Sequence, residues 1–229
     1  MPASAVIQAV ERRPLALEPP VQILTLHLDG AFEFDAGQYL TVVHSDGTAI
    51  PLSIASPPEL LPQLHLHYRS TPGLAEAVKM DELLKGDRLQ LEGGAGDVRL
   101  SRDDDRPLLL VAGGTGISQA LSLALAQTAR HPNTSVQMLA CADAEADLYF
   151  TDLLPTTPGF SAELIADSRR DDSNRGLRWL AENAGITASD NRVVLSGSPA
   201  FVYAATDTLV TAGLNSAQLE SDVYAWAPR

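Results

Sequence analysis

Hydrophobic and polar residues alternate in short runs up to about Leu100. In Val21–Leu28, the apolar residues Leu24, Leu26 and Leu28 fall on one face and polar residues separate them. This period of two is typical of strands with one buried face. The same pattern predicts further strands at Tyr39–His44, Leu52–Ala55, Leu64–Tyr68 and Arg88–Leu91. Short strands separated by turn residues predict a small antiparallel barrel, interrupted by one helix over Leu74–Leu84 that ends at Gly86.

From Pro107 onward, short apolar runs alternate with amphipathic stretches. The predicted strands are Leu108–Ala112, Val136–Ala140, Ala162–Ala166 and Val193–Leu195, and the predicted helices are Ile117–Arg130, Ala146–Leu154, Leu177–Ala184 and Ala200–Ala212. Such alternation predicts a parallel sheet covered by helices. The predicted fold class is therefore all-β plus α/β. A small antiparallel Greek-key β-barrel domain (residues 1–101) precedes a parallel-sheet, nucleotide-binding α/β domain (residues 102–229).

Composition narrows the classes of partner. The chain has 229 residues, 45% of them hydrophobic, with a formal net charge of −13. A chain of this length and hydrophobicity builds a real core, and its acidic balance repels nucleic acid and anionic membranes. No apolar run is long enough to cross a bilayer, and residues 1–20 do not read as a signal peptide. We therefore expect a cytoplasmic protein with no nucleic-acid or membrane partner.

Metal binding is not expected either. The chain has one cysteine, Cys141, which rules out an internal disulfide, a cysteine-only zinc site and a cysteine-ligated iron–sulfur cluster within it. His65 and His67 fall on one strand face at a spacing that can chelate a metal, but the sequence offers no third ligand nearby.

The turn Ala112–Gly116 between a buried strand and a helix is the strongest candidate for ligand binding. A strand–glycine turn–helix unit presents backbone N–H groups at a positive helix end, which suits a phosphate. The spacing Gly114-x-Gly116 is incomplete, because Gln119 stands where a third glycine would complete the common dinucleotide fingerprint. An ordinary βα turn that binds nothing is the alternative.

Seven short motifs occur in the order found in the ferredoxin–NADP reductase superfamily. They are Ala36-Gly37-Gln38-Tyr39, Pro51–Ser56, Gly94–Asp97, Gly113–Ser118, Asp147-Leu148-Tyr149, Ser196–Pro199 and Ser221–Tyr224. The chain resembles this superfamily, and within it the bacterial NAD(P)H:flavin reductases. The resemblance implies an oxidoreductase in which a flavin (FAD, FMN or riboflavin) lies against the barrel. NADH, with NADPH as the alternative, lies on the α/β domain, and hydride passes from the nicotinamide to the flavin.

The resemblance also implies site residues at matching positions. The expected flavin contacts are Pro51, Leu52, Ser53, Ile54, His67, Tyr68, Arg69, Gly73 and Leu74. The expected nucleotide contacts are Gly113, Gly114, Thr115, Gly116, Asp143, Gly197 and Pro199. Ser53, whose hydroxyl would hydrogen-bond the flavin N5 or O4, and Ser196, which replaces the family's cysteine beside the nicotinamide, are the expected catalytic residues.

Departures from the family pattern change the expected cofactor use. Ile50 replaces the arginine that meets the flavin phosphate, and Leu52 replaces the aromatic residue that covers the flavin ring. Together these losses weaken flavin binding by about two to three orders of magnitude, which favours a loosely held flavin used as a substrate. Arg69 is a candidate replacement for the lost phosphate contact. Asp143, followed by Glu145, favours NADH because a carboxylate repels a 2′-phosphate.

Two alternatives to a flavin reductase remain open. The first is a reductase component that passes electrons through bound FAD to an oxygenase or another protein partner. The second is a flavin- or nucleotide-binding subunit without turnover.

Overall fold

The first half of the chain forms a six-stranded antiparallel sheet. The computed structural model describes residues 3–71, 79–166, 174–187 and 191–229. The strands are β1 (Ala3–Arg13), β2 (Val21–Leu28), β3 (Tyr39–Val43), β4 (Ala49–Ser53), β5 (Gln63–Arg69) and β6 (Arg88–Ala95). Their order across the sheet is β4-β3-β6-β1-β2-β5. The five strands predicted from alternation are all present.

The sheet closes into a barrel where its two edge strands meet. An isolated bridge pairs Ile54, just after β4, with Leu66 of β5, and the Ala55 amide donates to the His65 carbonyl at 2.9 Å. The inward-facing side chains are fully buried, among them Leu24, Leu26, Leu40, Leu64, Leu66 and Leu91. Closure removes the exposed edges that an open sheet of this size would leave.

Strand β1 was not predicted, because its hydrophobic pattern is broken. Ala3, Ala5 and Ile7 face the core, but a bulge between Ile7 and Ala9 shifts the register against β2. A bulge turns the following residues to the other face, so the period of two does not persist. The strand also ends in charged residues that project away from the barrel core.

The second half forms a parallel sheet with helices on both faces. Its strands are β7 (Leu108–Gly113), β8 (Val136–Cys141), β9 (Phe160–Ile165), β10 (Arg192–Ser196) and β11 (Leu219–Glu220), in the order β11-β10-β7-β8-β9. The helices are α1 (Ile117–Arg130), α2 (Arg175–Thr187), α3 (Pro199–Thr211) and α4 (Val223–Trp226). The predicted fold class is confirmed. The strand order reverses between β7 and β10, and ligands of such sheets bind at the carboxyl ends of the strands at that point.

The predicted helix Ala146–Leu154 is wrong. Two short 3₁₀ turns, Glu145–Asp147 and Thr151–Leu153, replace it. Tyr149 and Phe150 are consecutive in sequence and are both buried in the same core cluster. Consecutive residues of an α-helix point in different directions, so a helix here would not bury both side chains in that cluster. Leu154 is extended because Pro155 follows it.

The first five residues of the predicted helix Leu74–Leu84 fall outside the described residues. Of its described part, residues 79–81 are helical, and Gly86 has the positive φ (+98°) expected of a helix-ending glycine. Among the described residues, no helix is both long and apolar enough to span a membrane.

Helix α1 lies between the barrel and the parallel sheet and is buried along most of its length. The Ser122 hydroxyl donates to the Ser56 carbonyl at 2.9 Å and accepts from the Gly37 amide at 3.3 Å. At another point of contact, Arg13 of β1 forms a two-pronged ion pair with Asp152, at 2.8 and 2.9 Å. The two sheets are therefore held together by a buried apolar layer with polar ties. The division at residues 101 and 102 stays a prediction, placed between the end of β6 and the start of β7.

A substitution at Gly37 tests how closely the barrel packs against helix α1. An added Cβ would lie 2.9 Å from both Leu123 Cδ2 and the Val98 carbonyl oxygen, and φ is +97°. We expect Gly37→Ala to lower the free energy of unfolding by about 1–2 kcal/mol through backbone strain and by a further ~1–3 kcal/mol through overpacking. Urea denaturation followed by circular dichroism measures the change.

Gly47→Ala is the matched control. Gly47 has a similar φ of +85°, but nothing lies within 4 Å of an added Cβ. Gly47→Ala should therefore lower the free energy of unfolding through backbone strain alone, with no contribution from overpacking. Equal losses for the two variants would contradict a tight contact between Gly37 and α1.

Candidate functional site

Two cavities open at the carboxyl ends of β7 and β10, where the strand order reverses. The larger has a volume of about 600 Å³ and the smaller about 300 Å³. The larger volume is in the range of small-molecule sites. Thr115 and Ser198 line both cavities, so the two adjoin.

The larger cavity has one wall from the barrel and one from the α/β half. Its lining residues are Tyr39, Pro51, Leu52, Ser53, Thr115, Gly116, Gln119, Ser196, Gly197, Ser198, Pro199, Ser221, Asp222, Val223 and Trp226. The structure thus brings together the β4 residues predicted to contact a flavin and the turn residues predicted to contact a nicotinamide nucleotide. These residues are separated in sequence by 60 positions or more.

The two turns of the α/β half pack backbone against backbone. A Cβ added at Gly116 would lie 2.5 Å from the Gly197 nitrogen and from the Ser196 carbonyl carbon. Gly197 has a φ of +141°, and its own added Cβ would lie 2.9 Å from the Gly113 carbonyl oxygen. Only glycine permits this approach. The Gly113–Gly116 turn and the Ser196–Gly197 turn therefore form one continuous backbone surface.

The two predicted catalytic serines both line the larger cavity, in different states. The Ser196 hydroxyl donates to the Gly116 carbonyl at 2.9 Å, which ties the two turns together. Among the described residues, the Ser53 side chain has no hydrogen-bond partner, so its hydroxyl is available to a ligand. The catalytic role of either serine stays a prediction.

Gln119 and Asp222 line the larger cavity, although the sequence did not predict either of them as a site residue. The Gln119 amide donates to the Gly37 carbonyl at 2.6 Å and to Asp222 Oδ2 at 2.8 Å. Asp222 Oδ1 accepts from the amides of Asp97 and Val98 at 3.1 and 3.3 Å. Burial raises the pKa of the Asp222 carboxyl above its ordinary value, although these three donors act in the opposite direction.

A signal for Gln119 was present in the sequence. It stands where the dinucleotide fingerprint has glycine, and the structure gives the reason. The side chain spans from the barrel turn at Gly37 to the C-terminal segment, a contact that glycine does not make.

The smaller cavity follows the end of β7 toward the end of β8. It is lined by Gly113, Gly114, Thr115, Cys141, Ala142, Asp143, Asp147, Tyr149, Asn174, Leu177, Ser198, Ala200, Phe201 and Ala204, and from the barrel half by Leu15, Val21 and Arg69. Gly114 has a φ of +56°, and nothing lies within 4 Å of an added Cβ. Backbone at this position is therefore open to a ligand. Burial raises the pKa of the Cys141 thiol to about 12, so this thiol stays protonated.

Arg69 faces the smaller cavity, not the larger one. Its Nε donates to the Pro19 carbonyl at 3.2 Å and its Nη2 to the Leu17 carbonyl at 2.9 Å. Gly114 and Thr115 line the same cavity. The arginine expected to replace a flavin phosphate contact therefore stands at the predicted nucleotide site.

Three other predicted flavin contacts line neither cavity. The side chains of Ile54 and Tyr68 are buried in the barrel core. His67 is 4% exposed and its Nδ1 lies 3.1 Å from the Tyr149 hydroxyl, within the contact between barrel and α/β half. The side chains of Ile54 and Tyr68 fill the barrel core and therefore do not face a cavity outside it. His67 lies on the opposite face of β5 because side chains alternate along a strand. Gly73 and Leu74 lie outside the described residues.

Metal ligands do not gather at this site. Across the residues that the structure describes, no three His, Cys, Asp or Glu side chains are placed to hold a metal ion. His65 and His67 are next to each other on β5, and the ring of His67 is already in contact with Tyr149.

Comparison with known proteins finds similar reductases, although no family model matches the chain. Reductase component 1 of terephthalate 1,2-dioxygenase from Comamonas is 29% identical over 224 residues, which is 92% of this chain and 66% of the relative. The NAD(P)H-flavin reductase of Vibrio harveyi is 36% identical over 117 residues, which is 48% of each chain. The chain thus spans less than two thirds of the length of such relatives.

Solved structures agree in fold. The Amycolatopsis cytochrome P450 reductase GcoB has a TM-score of 0.81 at 26% identity, covering 97% of this chain and 69% of its own. The ferredoxin–NADP⁺ reductase of Plasmodium falciparum has a TM-score of 0.79 at 15% identity, covering 97% and 96%, and shows the fold alone. The resemblance to the ferredoxin–NADP reductase superfamily is confirmed. Within it, the curated relatives are flavin reductases and reductase components of oxygenase systems.

The burial of His67 predicts a pH dependence of stability. Burial, with smaller contributions from His65 and Arg13, lowers the pKa of His67 to about 3, against 6.5 for a free histidine. Between these values the unfolded chain binds more protons than the folded one, so the free energy of unfolding falls as the pH falls. We expect His67 to account for a loss of about 2 kcal/mol between pH 7 and pH 5, measured by urea denaturation.

His67→Gln should lose this part of the pH dependence. The comparison separates His67 from His65, whose pKa is also lowered by burial. His131→Gln, which changes a partly exposed histidine elsewhere, should keep the dependence of the unaltered protein. Equal dependence in His67→Gln and the unaltered protein would refute the assignment.

Proposed function

We propose that this chain is an oxidoreductase that transfers a hydride from NADH to a loosely bound flavin. One observation carries the proposal: a single cavity has β4 of the barrel on one side and the Gly116 and Ser196–Gly197 turns on the other. When bound, the nicotinamide and flavin rings supply the hydride chemistry themselves. The protein then has to hold two flat rings in contact and exclude water.

The walls of the larger cavity fit the flavin ring system. Leu52, Val223 and the rings of Tyr39 and Trp226 offer apolar and aromatic surface to a planar ring. The Ser53 hydroxyl, which has no hydrogen-bond partner in the part of the chain that the structure describes, would hydrogen-bond the polar edge of the ring. Residues 1–101 would then be the flavin-binding domain and residues 102–229 the nucleotide-binding domain.

The smaller cavity fits the nucleotide part of NADH. Gly113 to Gly116 lead into α1, whose N-terminal end carries no acidic residue in its first turn and no side-chain cap. The positive end of the helix dipole favours a pyrophosphate. Arg69, which lines the same cavity, adds a positive charge.

Acidic residues at the far end of this cavity support NADH over NADPH. Asp143 is exposed and lines the cavity, whereas Asp147 is engaged as acceptor for the Ala16 amide at 2.8 Å. A carboxylate here accepts a hydrogen bond from a ribose 2′-hydroxyl and repels a 2′-phosphate. A protein that consumes NADH is expected in the cytoplasm.

The relatives support a second acceptor. Reductase components of terephthalate dioxygenase and phenol 2-monooxygenase match over more than nine tenths of the chain. An oxygenase, or another protein that accepts electrons from the flavin, is therefore the alternative partner. In that case the flavin would stay bound through turnover.

The two forms of the proposal are distinguished with purified protein. We expect NADH oxidation that requires added flavin, and a protein that is colourless as isolated. A yellow protein that NADH bleaches, with little response to free flavin, would favour the reductase component. Saturable binding without NADH oxidation would overturn both.

Gly114→Val tests the nucleotide site. The added side chain would project into the smaller cavity, and we expect the KM for NADH to rise at least about tenfold, as loss of a charge-assisted hydrogen bond would produce. Gly213→Val is the control, because Gly213 also has a positive φ and open space at its Cβ but lies after α3. An unchanged KM in Gly114→Val would refute the assignment.

Asp143→Asn tests nucleotide choice. Removing the charge should raise kcat/KM for NADPH relative to NADH by about two- to fivefold, the range of an exposed charge pair. Glu145→Gln neutralises an exposed neighbour that does not line the cavity, so it should leave the ratio nearly unchanged. Steady-state kinetics with both nucleotides measure the ratios, and equal ratios in Asp143→Asn and the unaltered enzyme would contradict the role of Asp143.

A further inference from the structure

The side-chain amide of Gln119 is held in one orientation at the wall of the larger cavity. Gln119 lies in the first turn of α1 and lines this cavity, although the residue is only 4% exposed. Both hydrogens of its Nε2 are used, one toward the Gly37 carbonyl at 2.6 Å and one toward Asp222 Oδ2 at 2.8 Å. A backbone carbonyl only accepts hydrogen bonds, so the amide nitrogen, and not the amide oxygen, has to face it.

This orientation leaves the other polar atom of the amide, Gln119 Oε1, as an acceptor without a donor. No residue in the described part of the chain donates to it. Gln22, Gln127 and Gln137 each have a side-chain oxygen that is buried without a partner, but the oxygen of Gln119 is not one of these buried atoms. Oε1 therefore has accessible surface, and the larger cavity is the opening that Gln119 lines. Its hydrogen bond has to come from water or from a ligand.

The place of Gln119 in the fold favours the nicotinamide as the source of that hydrogen bond. Gln119 follows Gly116 by three residues, which makes the two neighbours on one face of α1. Thr115 and Gly116, which line the same cavity, are expected nucleotide contacts, whereas the expected flavin contacts in this cavity lie across it on β4. The polar substituent of nicotinamide is a primary carboxamide, which carries two N–H donors. A ring that displaces water here leaves Oε1 paired only if the ring itself supplies an N–H.

We propose that Gln119 Oε1 accepts a hydrogen bond from the carboxamide N–H of the nicotinamide ring, and that this bond selects nucleotides with a primary amide at that position. The inference rests on the function proposed above and assigns it a specificity-determining residue. Gly37 and Asp222 act through Gln119 as positioning residues, because their acceptors hold the amide in the orientation that frees its oxygen.

The 3-acetylpyridine analogue of NADH tests this bond in the unaltered protein. In the analogue a methyl group replaces the amide nitrogen and the adjacent carbonyl is kept, so the N–H donor is lost with little change in size. A site that hydrogen-bonds a ligand N–H discriminates against an analogue without it, since the site's own polar group is then left unpaired. We expect NADH to bind at least about fivefold more tightly than the analogue. Equal affinities would overturn the inference.

Binding is measured on the purified full chain without flavin, from the quenching of tryptophan fluorescence. Trp226 lines the larger cavity and therefore reports on its occupancy. Steady-state kinetics with added flavin give kcat/KM for each nucleotide as a second measurement.

Gln119→Met removes the acceptor and keeps an unbranched side chain of similar length. We expect the preference for NADH over the analogue to fall at least about fivefold, in Kd and in kcat/KM alike. The ratio stays informative in a less stable variant, because both nucleotides meet the same altered protein. The different reactivity of the two nucleotides as hydride donors also cancels when the variant is compared with the unaltered protein.

Ser122→Ala is the matched control. Ser122 also ties α1 to the barrel, but it lines neither cavity. Its variant should keep the preference of the unaltered protein. An equal fall in Ser122→Ala would assign the effect to loosening of α1, and an unchanged preference in Gln119→Met would leave Oε1 without this role. Weaker flavin binding by Gln119→Met, with the nucleotide preference intact, would assign Oε1 to the flavin. Each of these three results would overturn the inference.

The proposed function fails or stands on a separate observation. Absence of NADH oxidation with every flavin would overturn the proposed function, while the ratio of the two Kd values would still decide whether Gln119 recognises the amide. Flavin-dependent NADH oxidation together with equal affinities for NADH and the analogue would overturn the inference and leave the proposed function intact.

Discussion

The site depends on the close packing of two turns, Gly113–Gly116 and Ser196–Gly197, whose backbones leave no room for a side chain between them. Gly116 lies against the Ser196–Gly197 peptide, and Gly197 in turn lies against the Gly113 carbonyl. A methyl group at position 116 would lie 2.5 Å from backbone that has nowhere to move, because β7 and β10 are hydrogen-bonded neighbours. The contact brings the ends of two adjacent strands into one surface. Both cavities are built on that surface.

A second set of contacts holds the barrel at a fixed distance from this surface. Helix α1 begins at the Gly116 turn, and two of its polar side chains reach the barrel. Ser122 bonds to the backbone at Gly37 and Ser56, and Gln119 bonds to the Gly37 carbonyl and to Asp222. Helix α1 is therefore tied to the barrel on both sides of the β3–β4 hairpin, at Gly37 and at Ser56. The proposed hydride transfer would depend on such fixed geometry, since a misplacement of about 1 Å can cost about a hundredfold in rate.

Local pattern predicted most of the elements, and it failed where tertiary contacts override it. Strand β2 and helix α1 have the predicted bounds. Strand β1 was missed because a bulge interrupts its alternation. The segment after β8 was predicted as a helix, yet it must bury two consecutive aromatic residues. At the site, the order of the motifs predicted the two turns. The roles of Gln119 and Asp222 arise from contacts between residues 82 to 125 positions apart, which the spacing of motifs in the sequence does not reveal.

The sharing of Thr115 and Ser198 between the two cavities has a consequence for ligand binding. Molecules in adjoining cavities that use the same wall residues exert steric and polar effects on each other. The free energies of the two binding events are then not additive, and thermodynamics requires that each ligand change the affinity of the other by the same factor. This coupling would have the same size whichever ligand bound first, and Thr115 and Ser198 are the side chains through which it would act.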